Sequence, residues 1–236
     1  MKDFTVSVKK LTDEELMREA CETTFLGESH ISLNSIYKSE HSPVRTQLFW
    51  VKFNGIPLFI STHLLRHHVG SVPYQLTCRD DRHGGNPGLP TKVDEIVAVL
   101  KILSKELPFI GVAKLIEELD NTAQKIEWLK DNADRYTPVN LGLLVNAQSL
   151  IDMAKLRLCN CAHHETIIVF QALKDAIRKV DPDLASYMVR KCVYRNGLCG
   201  EQRCCGFNHS LAFQNELKEY LINFNDKQIG IKSELK

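Results

Sequence analysis

From His63 to His83 the sequence gathers four histidines (His63, His67, His68, His83) and three arginines (Arg66, Arg79, Arg82) within 21 residues. Guanidinium groups offer a planar, permanently charged fork for phosphate or carbonyl oxygens, and imidazoles donate or accept near neutrality. On a helix His63 and His67 are four apart and Arg66 is three from His63. That spacing predicts one face carrying all three to the mouth of the loop that follows. The competing reading is a solvated helix end with histidines on its C-terminal dipole. The histidine pair also has the spacing of helical zinc ligands, but no glutamate follows His63 where a zinc hydrolase needs one. No metal is assigned here.

A second cluster begins at Asn146. Asn146, Ser149 and Asp152 step by three and predict a polar stripe, with Leu150, Met153 and Leu156 turned inward. Arg157 then falls at a partly buried helix edge. Two roles stand open for it: donor to a carbonyl, carboxylate or phosphate, or partner of an acid such as Glu165. The eight cysteines are Cys21, Cys78, Cys159, Cys161, Cys192, Cys199, Cys204 and Cys205. With no secretory leader in view they read as free thiols rather than a disulfide framework. Neither Cys159, Cys161, His163 and His164 nor the four later cysteines have the paired C-x2-C spacing of zinc knuckles.

The elements that must position these groups are mostly helical. Thr12 to Glu15 reads as a capping box opening a helix through about Cys21. Thr46 to Phe53 is β-rich and partly alternating, and Pro57 is placed to begin a helix holding PLFISTHLLRHH. Val69 to Pro90, with four glycines and three prolines, reads as a long loop. Helices are expected from Thr91 to Leu107 and over 112–132. After Pro138 apolar residues recur at helical spacing through Leu141, Leu144, Val145, Leu150, Met153 and Leu156. Further helix is expected over 165–180, a short turn over 183–190, a Cys/Gly-rich loop over 192–206 and a last helix over 211–223. No repeat or linker divides the chain, so one domain over 1–236 is expected, with its core over 41–206.

Composition narrows the function. Thirty basic and 29 acidic side chains give a net charge of +1, without the basic surplus or stripe of a nucleic-acid polymer binder. Phosphate recognition must come from a few placed arginines, which favours a nucleotide-sized ligand. No apolar run reaches the ~18–20 residues of a membrane span. The acidic turn at TDEE stands where a signal peptide is apolar. A cytoplasmic globular protein is expected.

Taken together, the clusters resemble the flavin-dependent thymidylate synthases. That family's signature is an Arg-His-Arg helix end, a serine, a short spacer and Ser-x-Arg. Arg66-His67-His68-Val69-Gly70-Ser71 looks like its first part and Thr77-Cys78-Arg79 its last, with one residue more between them. Asn146-Ala147-Gln148-Ser149-Leu150 and Leu156-Arg157 look like the family's Asn-Ala-Arg-Ser-Leu and Leu-Arg. His41-Ser42-Pro43-Val44 resembles its upstream histidine segment, and the cysteine-rich ending resembles one branch. The departures are His68 and Gln148, which replace arginines, Tyr74 and Gln75, which replace Asn-Glu, and His63, which replaces glutamine.

The resemblance implies a helix-rich α/β (α+β) domain with a mixed sheet, assembled as a homotetramer. It implies methylation of dUMP at carbon 5 to dTMP, with FAD as cofactor and NADPH and methylenetetrahydrofolate as co-substrates. Arg157 is then the catalytic cation, stabilising charge on the uracil carbonyls. Arg66, Gln75, Thr77, Arg79, Arg135 and Arg157 are the implied dUMP contacts. His41, Arg66, His67, His68, Asn146 and Asp152 are the implied FAD contacts. Two alternatives remain: a related flavin-dependent enzyme transferring a different group, such as hydroxymethyl, to a pyrimidine nucleotide, and a non-catalytic nucleotide-binding homologue.

Overall fold

A computed structural model describes residues 4–24, 27–76 and 135–225, with side chains to 222. The chain divides into two compact units, Met1–Gln75 with Pro138–Lys236, and Leu76–Thr137. The helices expected over 91–107 and 112–132, with Thr77 and Arg79, lie outside the described residues.

The first unit is built on a four-stranded antiparallel sheet in the order β1-β2-β4-β3. The strands are β1 (Thr5–Lys10), β2 (Leu48–Pro57), β3 (Ser71–Gln75) and β4 (Pro138–Asn146). Around them run α1 (Glu14–Glu22), α2 (Leu33–Ser39), a 3-10 segment (Ser42–Thr46) and α3 (Leu58–Leu65). After β4 come α4 (Ala147–Arg157), α5 (His164–Val180), α6 (Pro182–Tyr187) and α7 (Lys191–Tyr194). A 3-10 turn (Phe207–His209) and α8 (Leu211–Asn225) complete it. The expected helix-rich α+β class is what the structure has, and its sheet is antiparallel throughout. No helix among the described residues is long and apolar enough to cross a membrane.

Alternation builds the core. Phe49, Val51 and Phe53 of β2 and Leu141, Leu143 and Val145 of β4 are all fully buried on one sheet face. Burial of each such side chain contributes about 1.5–3 kcal/mol. Val169, Phe170, Leu173 and Ile177 of α5 and Leu150, Ile151 and Ala154 of α4 fill the same core. On the other face Trp50 lies across Gly142, where an added Cβ would meet the indole at 2.8 Å, and its ring sits 5.5 Å from Tyr74. Between Phe53 and Ile56 the register shifts. Gly55 there takes a positive φ of 72° and donates its N–H to Asn140 Oδ1.

Several expectations are corrected. The helical spacing expected from Leu141 is a strand up to Asn146, because Val139, Leu141, Leu143 and Val145 alternate inward and pair with β2. The helix then starts at Ala147. Leu156 is 43% exposed rather than inward, since the buried stripe of α4 runs Ala147, Leu150, Ile151, Ala154 and on to Leu158. The capping role falls to Asp13, whose Oδ1 accepts from Leu16 N. Thr12 instead bridges to β2, donating to Thr46 O and accepting from Leu48 N. The helix after Pro57 ends at Leu65, so His67 and His68 lie beyond it. Part of the loop expected from Val69 is the edge strand β3.

A cavity at Leu143 is costly and one at Leu156 is not. Leu143→Ala should lower the unfolding free energy by about 2–5 kcal/mol. Leu156→Ala should change it by less than about 1 kcal/mol. Urea denaturation of both variants checks the pair.

Candidate functional site

The strand-to-helix junction at Asn146 organises one end of the sheet. Asn146 Oδ1 accepts from Ser149 N at 2.9 Å, capping α4. Its backbone N–H donates to Gly70 O at 3.0 Å. Ser149 Oγ donates to Val69 O at 2.5 Å. Gly70 holds a φ of +69°, and a Cβ there would lie 2.3 Å from Asn146 Nδ2. Only glycine lets the turn after α3 approach the helix start so closely.

This contact opens a cleft of about 250 Å³. Arg66, His67 and His68 line it from one side and Asn146 and Asp152 from the other. These are five of the residues the resemblance implies, brought together from segments about 80 positions apart in sequence. Arg45, Gln148 and Ser149 complete the walls with Val69 and Gly70.

Arg157 is not among the wall residues, and it reaches the cleft through His67. Its Nε donates to His67 Nε2 at 2.8 Å and its Nη2 to His63 O at 2.8 Å. An arginine only donates, so His67 accepts at Nε2 and carries its own proton on Nδ1. Burial and the Arg157 charge hold the His67 ring down at about 4, with Asp152 opposing them and His68 adding to them. His67 is therefore neutral at pH 7. Burial and the nearby Arg66 charge also lower Arg157. The Glu165 pairing considered for Arg157 is replaced by these two contacts; Glu165 Oε2 is buried without a hydrogen-bond partner.

The opposite wall is acidic behind and polar in front. Glu40, in a left-handed conformation with φ 50°, receives Lys155 at 3.1 Å and Gln148 Nε2 at 2.5 Å. Asp152 also accepts from Lys155 at 3.1 Å and from Gln148 Nε2 at 3.3 Å. Two carboxylates thus fix the Gln148 amide, leaving Oε1 buried and without a partner. An unpaired buried acceptor costs about 1–3 kcal/mol, and a ligand N–H or O–H relieves it. Arg45 and Arg66, both exposed, line the same cleft as Gln148. An anionic ligand with imide or hydroxyl donors, such as a flavin or pyrimidine nucleotide, fits this set. The cleft is below the usual ~300–1,000 Å³ of ligand pockets, so it fits part of a dinucleotide such as FAD.

Other expected residues stand elsewhere. His41 is exposed at the start of the 3-10 segment and is not a wall residue. Gln75 pairs with Leu141 at the end of β3, away from the cleft walls. Arg135, in the second unit, lies 5.3 Å over the Tyr136 ring. His63 does not share a face with His67: its Nδ1 meets Thr166 Oγ1 at 3.2 Å and its ring packs on Phe59. Among the described residues no group of three or more His, Cys, Asp or Glu side chains is placed to hold a metal ion. Arg45 was missed, its only signal being its place four residues after His41. Gln148 was noticed only as a departure from the family pattern.

Among solved structures the chain is similar to a UMP/dUMP methylase, PolB, from Streptomyces cacaoi bound with 5-Br dUMP. The match has a TM-score of 0.50 and 17% identity, covering 79% of this chain and 95% of that one. It is also similar to Thymidylate Synthase X from Helicobacter pylori, solved with FAD and dUMP. That match has a TM-score of 0.49 and 17% identity, over 80% of this chain and 99% of that one. The chain shares its fold with the UMP/dUMP methylase. No protein-family model matches the sequence, and no curated protein sequence matches it. At 17% identity the likeness to the methylase is one of fold alone.

The Arg157–His67 bond makes a titration prediction. His67 should titrate near pH 4 by NMR, and Arg157→Leu should move it upward toward the ordinary ~6.5. Its folded value lies below its unfolded one, so its contribution to stability is complete above about pH 6.5 and is lost as pH falls toward 4. Melting temperature measured across that window should fall less in Arg157→Leu than in the wild type.

Proposed function

We propose that the chain is a flavin-dependent enzyme modifying carbon 5 of dUMP, with methylation to dTMP as its reaction. The observation that carries this reading is the meeting of Arg66, His67 and His68 with Asn146 and Asp152 in one cleft. The same residues are the implied flavin wall, and the chain shares its fold with a UMP/dUMP methylase.

In this reading Arg66 and Arg45 hold phosphate groups through charge-assisted hydrogen bonds. Gln148 Oε1 accepts from an imide or hydroxyl of the bound ligand. Asn146 and His68 orient the flavin, and His67, neutral, keeps the Arg157 guanidinium from swinging. Bound FAD supplies hydride chemistry that no side chain here possesses. Carbon 5 of uracil is a weak nucleophile, and it becomes a strong one when the ring is enolate-like, with negative charge shared with a carbonyl oxygen until carbon 5 bonds to the one-carbon donor. Arg157, pinned by His63 O and His67, is the preorganised cation for that charge. NADPH and methylenetetrahydrofolate are the proposed hydride and one-carbon sources, and Thr77, Arg79 and Arg135 the proposed further nucleotide contacts. A homotetramer with composite sites suits a cleft too small for the whole of FAD.

A second reading has a specific basis. Gln148 stands where the family has arginine and is tied to Glu40 and Asp152. One cation fewer on the flavin wall suits an altered transfer, such as hydroxymethylation, as well as methylation. The mass of the nucleotide product distinguishes the two.

Flavin-free protein titrated with FAD should quench flavin fluorescence saturably, and no change at tens of micromolar would sink the reading. Arg157→Ala should lose on the order of 10²–10³ in kcat for dUMP, while flavin reduction by NADPH stays within a few-fold of wild type. Arg157→Lys should recover only part, since an ammonium lacks the planar fork. A folded Arg157→Ala protein with near-normal turnover would end the catalytic assignment.

A further inference from the structure

Six cysteines gather beyond the C-terminal end of α4, apart from the cleft walls. Cys159, Cys192, Cys199, Cys204 and Cys205 face one cavity of about 10 Å³, the space of a single water. Cys161 stands within hydrogen-bonding reach of Cys159 and Cys205. All six are free thiols. Arg190 braces the region: it donates to Leu158 O and Asn160 Oδ1, pairs with Glu216 at 3.1 Å and lies 4.4 Å over Phe207. Asn208 Nδ2 closes the loop onto Gly197 O at 2.9 Å.

The thiols are arranged in neighbouring sets rather than around one point. Among the described residues no three ligand-type side chains stand ready for a metal ion. Cys204 lies within hydrogen-bonding reach of Cys199. Its sulfur accepts from Gly206 N–H at 3.4 Å and meets Asn208 Oδ1 at 3.3 Å. Cys204 is exposed and Cys199 half-buried, so an oxidant reaches one thiol while the other waits beside it. Cys159 with Cys161, and Cys204 with Cys205, are too close in sequence to bridge without distorting the backbone. Cys199 and Cys204 lie on one loop with four residues between them, which makes closure a local event.

We propose that Cys199 and Cys204 form a reversible dithiol–disulfide pair, a redox modification site closed by peroxides. The Cys204 thiolate attacks one peroxide oxygen, the O–O bond breaks, a sulfenic acid forms on Cys204, and the departing hydroxide takes up the thiol's proton and leaves as the first water. The Cys199 sulfur then attacks Cys204, forming the S–S bond and releasing the second water. Two thiols and one hydrogen peroxide become one disulfide and two waters, the sulfurs losing the two electrons that the peroxide gains. The Gly206 amide favours the Cys204 thiolate, while Cys199 and other thiols oppose it and leave Cys204 raised overall.

The test uses the full chain, reduced, freed of reductant and titrated with hydrogen peroxide. Intact mass should fall by two hydrogens, two thiols should vanish from a thiol count, and peptide mapping should join Cys199 to Cys204. Dithiothreitol should restore both thiols. Cys204→Ser and Cys199→Ser should abolish the bridge, and Cys161→Ser should keep it, with circular dichroism confirming that each is folded. A different mapped pair, two thiols still lost in Cys204→Ser, or no thiol loss in the wild type would overturn the proposal. So would stoichiometric zinc in the purified protein, released by a mercurial, since the thiols would then be ligands. Mapping of the wild type decides even where a variant fails to fold.

Discussion

Asn146 ends β4 and caps α4 with one residue, accepting from Ser149 N at its side chain and donating its own N–H to Gly70 O. Ala147 N–H, one residue on, donates to Gln47 O at the entry to β2. Three separate segments are thereby locked to a single helix start: the turn after α3, the central strand β4 and the edge of the 3-10 segment. Arg45 and Arg66 come from two of these segments, and Asp152 and Gln148 from the helix itself. Movement of the junction would move every wall of the cleft together. Gly70 is the steric condition for it, since any Cβ there collides with the two side chains that make the bonds.

On this scaffold the charges are arranged in two relays that do not mix. On one side Arg157 is held by a backbone carbonyl and a neutral imidazole, neither of which quenches its charge. A carboxylate partner such as Glu165 would have paired that charge and made it a stability element. On the other side Lys155 is absorbed by Glu40 and Asp152, and those carboxylates fix Gln148. The first relay leaves a cation with donors to spare, and the second leaves an acceptor without a donor. A ligand complementary to both must carry oxygens at one end and an N–H or O–H at the other.

The sequence made the polar wall legible because its residues are clustered: Arg66, His67 and His68 are contiguous, and Asn146 to Asp152 spans two helical turns. It hid the way they are held. Apolar residues from Val139 to Val145 and from Leu150 to Met153 overlap in both periodicities, so the strand was read as part of the helix. Only pairing with β2 breaks that tie. The turn after α3 is set by Gly70 meeting Asn146, a contact between positions far apart in the chain. Arg45 carries no local signal, because a lone arginine after Pro43 looks like any surface cation. Leu156 shows the same limit within one helix, where a shift of stripe by two positions turns a core residue outward.

Net charge and local charge point in different directions, and the difference bears on the ligand. At +1 overall the surface offers no long-range pull on a polyanion. Within the cleft, Arg45 and Arg66 lie on the wall and Arg157 one hydrogen bond behind it, against Asp152 alone among the wall carboxylates. The field is therefore short-ranged, positive along Arg45 and Arg66 and acidic behind Gln148, where Lys155 offsets only one of the two carboxylates Glu40 and Asp152. An arginine in place of Gln148 would bring that group to neutrality. Glutamine leaves it one negative charge and meets it with an amide N–H instead. The cleft thus sets a cationic wall against an acid-backed one whose own face is an uncharged amide.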